Sequence, residues 1–285
     1  MMNRGSTQLV VIGLVSSWLV LFGVVPLLLL VATSFLAQDP VEFFRVAPSL
    51  ESYRQLLDPN YLAVIWRSVG FALTTTVLCL LLGYPFAWYT ARLNRSSRVL
   101  VLILLMIPFW TNSLVRTYAI RMVLGTQGLL NKALLATGII DTPLRLLYTD
   151  TAVVLGLLYL MLPFMILPLY ANLEKLDYRL VEAGRDLGAG FVQIFTRVIW
   201  PLSLPGVYAG IILVFVPSMG LFYVATLLGG SRQILVGNLI QQQFLNARNW
   251  PMGSATSVVL ILMMALMLVG YWLVLRRLAR RRLGS

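Results

Sequence analysis

Six stretches of this chain run apolar for roughly 20 residues or more, the length that carries an α-helix across about 30 Å of hydrocarbon at 1.5 Å per residue. They cover approximately Val10 to Phe35, Ala63 to Ala91, Val99 to Leu124, Thr151 to Ala171, Pro201 to Leu228 and Pro251 to Leu275. The first has Arg4 before it, as a secretory signal would, but its apolar run is too long and lacks a small-x-small cleavage site, so it reads as an uncleaved helix. Between the fourth and fifth stretches the pattern changes. Residues 172–200 are mixed in charge, and Leu180, Ala183, Leu187, Phe191 and Ile194 fall three and four apart, which predicts an apolar stripe on a helix. Glu182, Arg185 and Asp186 lie off that stripe. Gly188-Ala189-Gly190 predicts a break between two short helices, and Gly184 and Gly188 leave room for another backbone.

Composition agrees with the hydropathy pattern. Of 285 residues, 59% are hydrophobic and 11% charged, which places the chain among polytopic all-α membrane proteins. Charge then orients it. Arg276, Arg277, Arg280, Arg281 and Arg282 crowd the C-terminus, and cytoplasmic connections carry the excess of Lys and Arg. Six spans put the N-terminus with Arg4 on that same side, together with Arg92, Arg95, Arg98 and the 172–200 segment. Thirteen of the 22 basic residues then lie inside, so the net charge of +12 reflects topology. With no soluble domain to present a basic surface, nucleic acid is not an expected partner.

The chemistry is narrowed by what the chain lacks. It has no histidine and a single cysteine, Cys79, within the second span, so neither a disulfide framework nor a His/Cys metal site can form. All ten acids lie outside the spans or at their edges: Asp39, Glu42, Glu51, Asp58, Asp141 and Asp150 on the outer side, Glu174, Asp177, Glu182 and Asp186 on the inner. A proton- or ion-coupled carrier places such groups in the membrane, so self-powered transport is disfavoured. Neither Lys132 nor Lys175 sits in a Gly-Lys-Ser/Thr phosphate loop, so ATP hydrolysis would need another subunit. No Gly-x-Ser-x-Gly elbow occurs, which leaves an intramembrane enzyme without a nucleophile and base. A pore, a passive scaffold, or a surface-lying connector in place of a docking segment all stay open on these grounds.

A resemblance weighs between these readings. Glu182-Ala183-Gly184, then Gly188, then nine residues to Val198, with Trp200-Pro201 following, resembles the Glu-Ala-Ala, Gly, Ile-x-Leu-Pro signature of the permease subunits of ABC importers that work with a substrate-binding protein. Gly184, Val198 and Trp200 replace the signature's Ala, Ile and Leu. Phe35 and the acidic loop after it, Leu82-Gly83-Tyr84-Pro85-Phe86-Ala87-Trp88, Pro108 to Arg116, Glu174 to Asp177 and Met219 to Tyr223 are similar to permeases of the spermidine/putrescine branch, nearly end to end.

The resemblance implies a type I importer permease fold in the bacterial inner membrane, with five core helices and one added at the N-terminus. It implies a second, different permease, two ATPase subunits that hold ATP and Mg, and an external binding protein, while this chain itself binds no cofactor. It also implies that Glu182, Ala183, Gly184, Asp186, Leu187 and Gly188 form the coupling helix that docks on the ATPase.

Candidates for the substrate pathway come from the residues themselves. Pro108 is followed by Trp110, Thr111, Asn112 and Ser113, and Pro217 by Ser218, Phe222 and Tyr223. Prolines free backbone carbonyls, and such breaks persist in a membrane only where protein or a watered cavity covers them. Trp110, Phe222 and Tyr223 are expected as a gate that could hold a cationic amine over a ring face. The same residues would equally serve to knit helices together. Arg116 is expected toward the outer end of the third span.

Overall fold

The computed structural model describes residues 4–39, 43–230 and 233–283, with side chains over 11–39, 43–230, 233–273 and at 276. The side chains of Arg4, Glu42, Arg277, Arg280, Arg281 and Arg282, on which part of the charge reading rests, fall outside these ranges. Among the described residues, five helices are long and apolar enough to cross a membrane, and a sixth crossing results when one sharply bent pair counts as a single span.

The first apolar stretch is α1, Val11–Ser34. Its middle widens into a π-turn, Val20–Val24, just before Pro26. Proline has no N–H to donate and its ring crowds the carbonyl four residues back, and one wider turn accommodates both. The loop that follows is more structured than a solvated connector. Leu36–Ala37 (β1) pairs antiparallel with Arg45–Pro48 (β2), and α2 covers Glu51–Leu56.

Helix α3 spans Pro59–Arg92, and α4 spans Arg95–Met106. The third stretch was expected as one continuous span, and here the fold departs from the sequence reading. After α4 the chain tightens through a 3₁₀ turn, Ile107–Trp110, extends at Thr111, and restarts as α5, Ser113–Leu124; the segments Arg95–Trp110 and Ser113–Ala136 are bent by 92°. Two side chains support this break. Thr111 Oγ1 donates to the Pro108 carbonyl at 2.7 Å, and Asn112 Oδ1 accepts from the Leu114 amide at 2.8 Å as an N-cap. A short helix, α6 (Leu129–Ala136), follows, and the buried Asn131 ties its loop together by bonds to Gly125 and to both backbone groups of Leu144.

Helices α7 (Asp150–Leu173), α8 (Arg179–Asp186) and α9 (Phe191–Gly220) come next. The fifth stretch was read as beginning at Pro201, yet its helix begins ten residues earlier. A π-turn at Phe195–Ile199 precedes Pro201 as Val20–Val24 precedes Pro26, so this proline lies within a continuing helix. The stretch also ends early: the backbone breaks at Leu221 and resumes over 222–229. There Asn238, on α10 (Val236–Gln241), donates to the Phe222 carbonyl at 3.0 Å and to Thr226 at 2.8 Å. The last helix, α11, is Trp250–Leu283.

The chain divides into two compact units. One comprises the residues up to Ala63 with Leu239–Leu262, and has a small core of Leu56, Met252 and Ala255 ringed by Tyr53, Tyr61 and Val259. Ser34 and Tyr53 share a hydrogen bond of 2.7 Å, and Asn249 donates to Gln38 at 2.9 Å.

The other unit, Val64–Asn238 with Met263–Ser285, is organised around α7. Val153, Leu157, Leu160, Met165, Ile166, Leu169 and Leu173 are buried along it, against Phe71, Cys79 and Tyr84 of α3 and Val207 and Val214 of α9. Helices α7 and α9 approach very closely. A methyl group at Gly206 would stand 2.7 Å from Asn172 Cβ and 2.9 Å from the Pro168 carbonyl. In lipid, where apolar side chains gain little by leaving one acyl environment for another, such small-residue contacts hold helices together.

Gly206→Leu should therefore force the pair apart at a cost of about 1–3 kcal/mol, read as a lower midpoint of thermal aggregation in detergent. Gly13→Leu, where a side chain meets nothing within 4 Å, should leave that midpoint unchanged.

Candidate functional site

The segment between α7 and α9 is built from local signals. Asp177 Oδ1 accepts from the Arg179 amide at 3.0 Å and starts α8. The helix ends in a double closure: the Gly188 amide donates to Arg185 at 2.8 Å, and the Ala189 amide to Gly184 at 3.0 Å. This Schellman arrangement needs a left-handed residue, and Gly188 has φ of +79°. Gln193 Oε1 then accepts from the Gly190 amide at 3.1 Å, opening α9.

Glu182, Ala183, Asp186, Leu187 and Gly188 are all exposed, and Gly184 is half-buried, with Ile194 packed where its side chain would project. The expected apolar stripe is not a single buried face. Leu180, Leu187 and Phe191 are exposed, Leu187 at 87%, while Ile194 and the unpredicted Val181 are buried. The break at Gly188 explains this, because helical periodicity does not carry across two separately oriented helices.

What anchors the segment was missed from sequence. Tyr84, Trp88 and Arg92 lie one turn apart on α3, and each engages it. The Arg92 guanidinium sits 4.2 Å over Trp88 and 5.5 Å over Tyr178, and donates to the Tyr178 hydroxyl at 3.2 Å. Trp88 stacks on Phe191 at 5.7 Å, and Tyr84 meets Phe195 at 5.8 Å and Trp200 at 5.5 Å. The Tyr84 hydroxyl and Ser203 Oγ lie 2.9 Å apart. Each ring or cation contact contributes about 0.5–1.5 kcal/mol. Trp200, the departure from the family signature, is thus a packed member of this cluster. Arg98 pairs with Glu174 at 2.6 Å and also donates to the Leu93 carbonyl, fixing the α3–α4 turn against the end of α7. The i, i+4, i+8 spacing of Tyr84, Trp88 and Arg92, and the i, i+4 spacing of Phe191 and Phe195, were the available clues.

The second group of candidates is brought together only in part. Trp110 is 84% exposed, Thr111 and Asn112 serve the break between α4 and α5, and Ser113 is half-buried. Pro217 is exposed, and the buried Ser218 hydroxyl donates to the Val214 carbonyl of its own helix at 2.6 Å. Phe222 and Tyr223 meet edge to face at 5.9 Å. Among the described residues no ring pair joins Trp110 to either.

Arg116 is held by aromatic side chains. Its guanidinium lies 4.5 Å over Phe109, which is edge-on to Phe164 at 5.6 Å. Counting from the Arg98–Glu174 pair, Phe109 is about 16 Å along α4 and its 3₁₀ turn, and Phe164 about 15 Å along α7. Arg116 thus stacks on a ring that packs beside the middle of α7.

An exposed two-helix segment clamped between long apolar helices suits a membrane transport subunit driven by a partner. Residues 79–283 match the family described as binding-protein-dependent transport system inner membrane component, and the chain belongs to that family. It is thus an inner-membrane permease subunit of an ABC importer, with ATP hydrolysis carried by a partner subunit.

Among its relatives, the chain is 52% identical over 255 residues to the spermidine/putrescine transport system permease protein PotB of Escherichia coli (strain K12), covering 90% of this chain and 93% of that one. It is 48% identical over 265 residues to PotB of Haemophilus influenzae, covering 93% of each. It is also 34% identical to the molybdenum transport system permease protein ModB of Mycobacterium bovis, over 74% of this chain and 79% of that one. A bacterial alginate ABC transporter solved with an alginate pentasaccharide-bound periplasmic protein shares the fold, with a TM-score of 0.71 at 15% identity, covering 94% of this chain and 93% of that one.

Gly188→Val should disfavour the left-handed turn by about 1–2 kcal/mol. Hydrogen exchange at the Ala189 amide should then accelerate roughly tenfold, whereas Gly188→Asn should change it far less.

Proposed function

We propose that this chain is one of two different permease subunits of a polyamine importer of the spermidine/putrescine class. The observation that carries the substrate class is the identity of about half the residues, over nearly the whole length, to permeases named for those substrates. The likeness to the molybdenum permease is lower and covers less of the chain, so the polyamine reading is preferred. In this reading the N- and C-termini face the cytoplasm, as the basic residues at positions 4, 92, 95, 98 and 276–282 favour.

The segment Glu182, Ala183, Gly184, Asp186, Leu187 and Gly188 docks on one of two ATPase subunits, which bind ATP and Mg; this chain binds neither. Exposed Leu187 and Phe191 supply an apolar contact, and Glu182 and Asp186 supply charge that orients it. Closure of the ATPase dimer pulls the docked segment. The Trp88–Arg92–Tyr178 cluster then hands that displacement to α3, and the Tyr84–Phe195–Trp200 cluster to α9, so that the permease alternates between inward and outward access. An external binding protein delivers substrate. Trp110, Thr111, Asn112, Ser113, Pro217, Ser218, Phe222 and Tyr223 are the pathway candidates, and Trp110 and Phe222 retain exposed ring faces that can receive an ammonium group.

Vesicles carrying the whole complex should take up radiolabelled spermidine in an ATP-dependent way, with unlabelled putrescine competing; uptake indifferent to either polyamine would overturn the substrate class. Glu182→Lys should lower uptake about tenfold or more, the scale of one lost charged contact at an interface, while a Lys at the exposed Glu51 should not.

A further inference from the structure

Helices α3 and α7 enclose a cleft of about 540 Å³ near the start of α7. That volume falls in the range of small-molecule sites, about 300–1,000 Å³. Phe71 and Leu78 of α3 and Val154 and Leu155 of α7 line it, so its walls are largely apolar. A Cβ on Gly70 would meet nothing within 4 Å, which leaves bare backbone beside Phe71. All these residues belong to one compact unit.

The cleft also carries one pair of opposite charges. Arg67 Nη2 lies 3.0 Å from Asp150 Oδ1, and the Arg67 guanidinium stands 5.9 Å from the centre of the Phe71 ring. A carboxylate and an aromatic face are the two groups that hold an organic ammonium. The chain's own cation thus occupies a ready-made cation site.

The two charges are not equally fixed. Asp150 has a short side chain at the first residue of α7, where Thr149 caps the helix by accepting from the Ala152 amide at 3.2 Å. Arg67 reaches it on a long flexible stem, and its side chain is 42% exposed. An exposed pair of this kind adds little stability, so one cation can replace another there at small cost. The acid and the ring stay in place, and the arginine can leave. An anion entering the same cleft would meet Asp150 and the electron-rich ring face instead.

We infer that this cleft binds an alkylammonium. The ammonium takes the place of the Arg67 guanidinium between Asp150 and Phe71, and the methylene chain lies along Leu78, Val154 and Leu155. Spermidine and putrescine have this makeup, ammonium groups joined by methylenes. The inference rests on the polyamine reading and deepens it: Asp150 becomes a carboxylate that receives substrate, and Arg67 the internal cation that yields to it.

The test uses the whole complex in lipid nanodiscs and reads occupancy directly. Thr74→Cys puts a thiol on the cleft lining, and Cys79 is buried, so labelling of this chain by a water-soluble maleimide follows the new thiol. Spermidine should protect it. In that background Asp150→Asn should raise the half-protecting spermidine concentration about tenfold, the scale of one charge-assisted hydrogen bond. Arg67→Gln should lower it several-fold, because the competing cation is gone. An ion pair that only braces α3 against α7 would respond alike to the loss of either partner.

Uptake of spermidine by the parent complex in vesicles separates the two ideas. If uptake is intact, the inference fails while the polyamine reading stands on any of three results: a thiol the maleimide does not reach, labelling indifferent to spermidine, or both substitutions shifting protection the same way. A complex that imports neither polyamine removes the reading and the inference with it.

Discussion

Hydrocarbon gives apolar side chains no reason to prefer one another to lipid, so a membrane bundle needs some other source of cohesion. In this chain that source is the close approach of α7 and α9, where Gly206 lies against the Pro168 carbonyl and Asn172, and Gly210 lies over Met165. Backbone meets backbone across the helices, dispersion contacts accumulate, and the large side chains of α7 are left to fill the remaining faces. The α8 segment hangs from this pair, since it is the connection between the two helices. Its position is thus set at both ends by this close helix contact, and the Tyr84–Trp88–Arg92 ladder of α3 braces it from the side.

Charge marks the limits of that bundle. Asp150 opens α7 and pairs with Arg67; Glu174 closes it and pairs with Arg98. Between the two pairs runs a helix of 24 residues, about 36 Å, a little more than the hydrocarbon thickness. Exposed ion pairs contribute little to stability, typically below about 1 kcal/mol. Their placement still fixes depth, because sliding α7 by a turn would draw a carboxylate into lipid. Arg116, stacked over Phe109, belongs to neither pair.

Much of this fold was legible in the sequence. Hydropathy pointed to the five long apolar helices, because the membrane constrains composition more strongly than shape, and Gly188 announced its turn because only a residue without Cβ fits there cheaply. The break after Trp110 was not legible as a break. Pro108 suggested a kink, and only the Asn112 N-cap, in the middle of the short polar run Thr111-Asn112-Ser113, hinted that the helix ends and starts again. The start of the fifth helix was misplaced for a related reason. A proline at a helix start and a proline following a π-turn read alike, and only the backbone around Phe195–Ile199 separates them. The aromatic cluster left a trace on each helix separately, but nothing local states that Trp88 meets Phe191, 103 positions away. The candidate gate illustrates the same limit: Phe222 and Tyr223 are neighbours in the chain and touch, while their expected partner Trp110 belongs to another helix.

Helix α1 obeys a different rule from the rest. No side chain in its most apolar 18-residue window is buried within the chain, whereas 56% of the corresponding window of α7 is. A helix that packs must keep its shape; one bathed in lipid need only stay soluble in it. Interchange among Leu, Val, Ile and Phe along Val11–Ser34 is therefore free as far as this chain's own packing is concerned. The strongest demand falls on the π-turn at Val20–Val24 and on Pro26, where geometry, not oiliness, is at stake. Within one polypeptide, selection acts on α1 through solvent and on α7 through neighbours, and the two helices can drift at different rates.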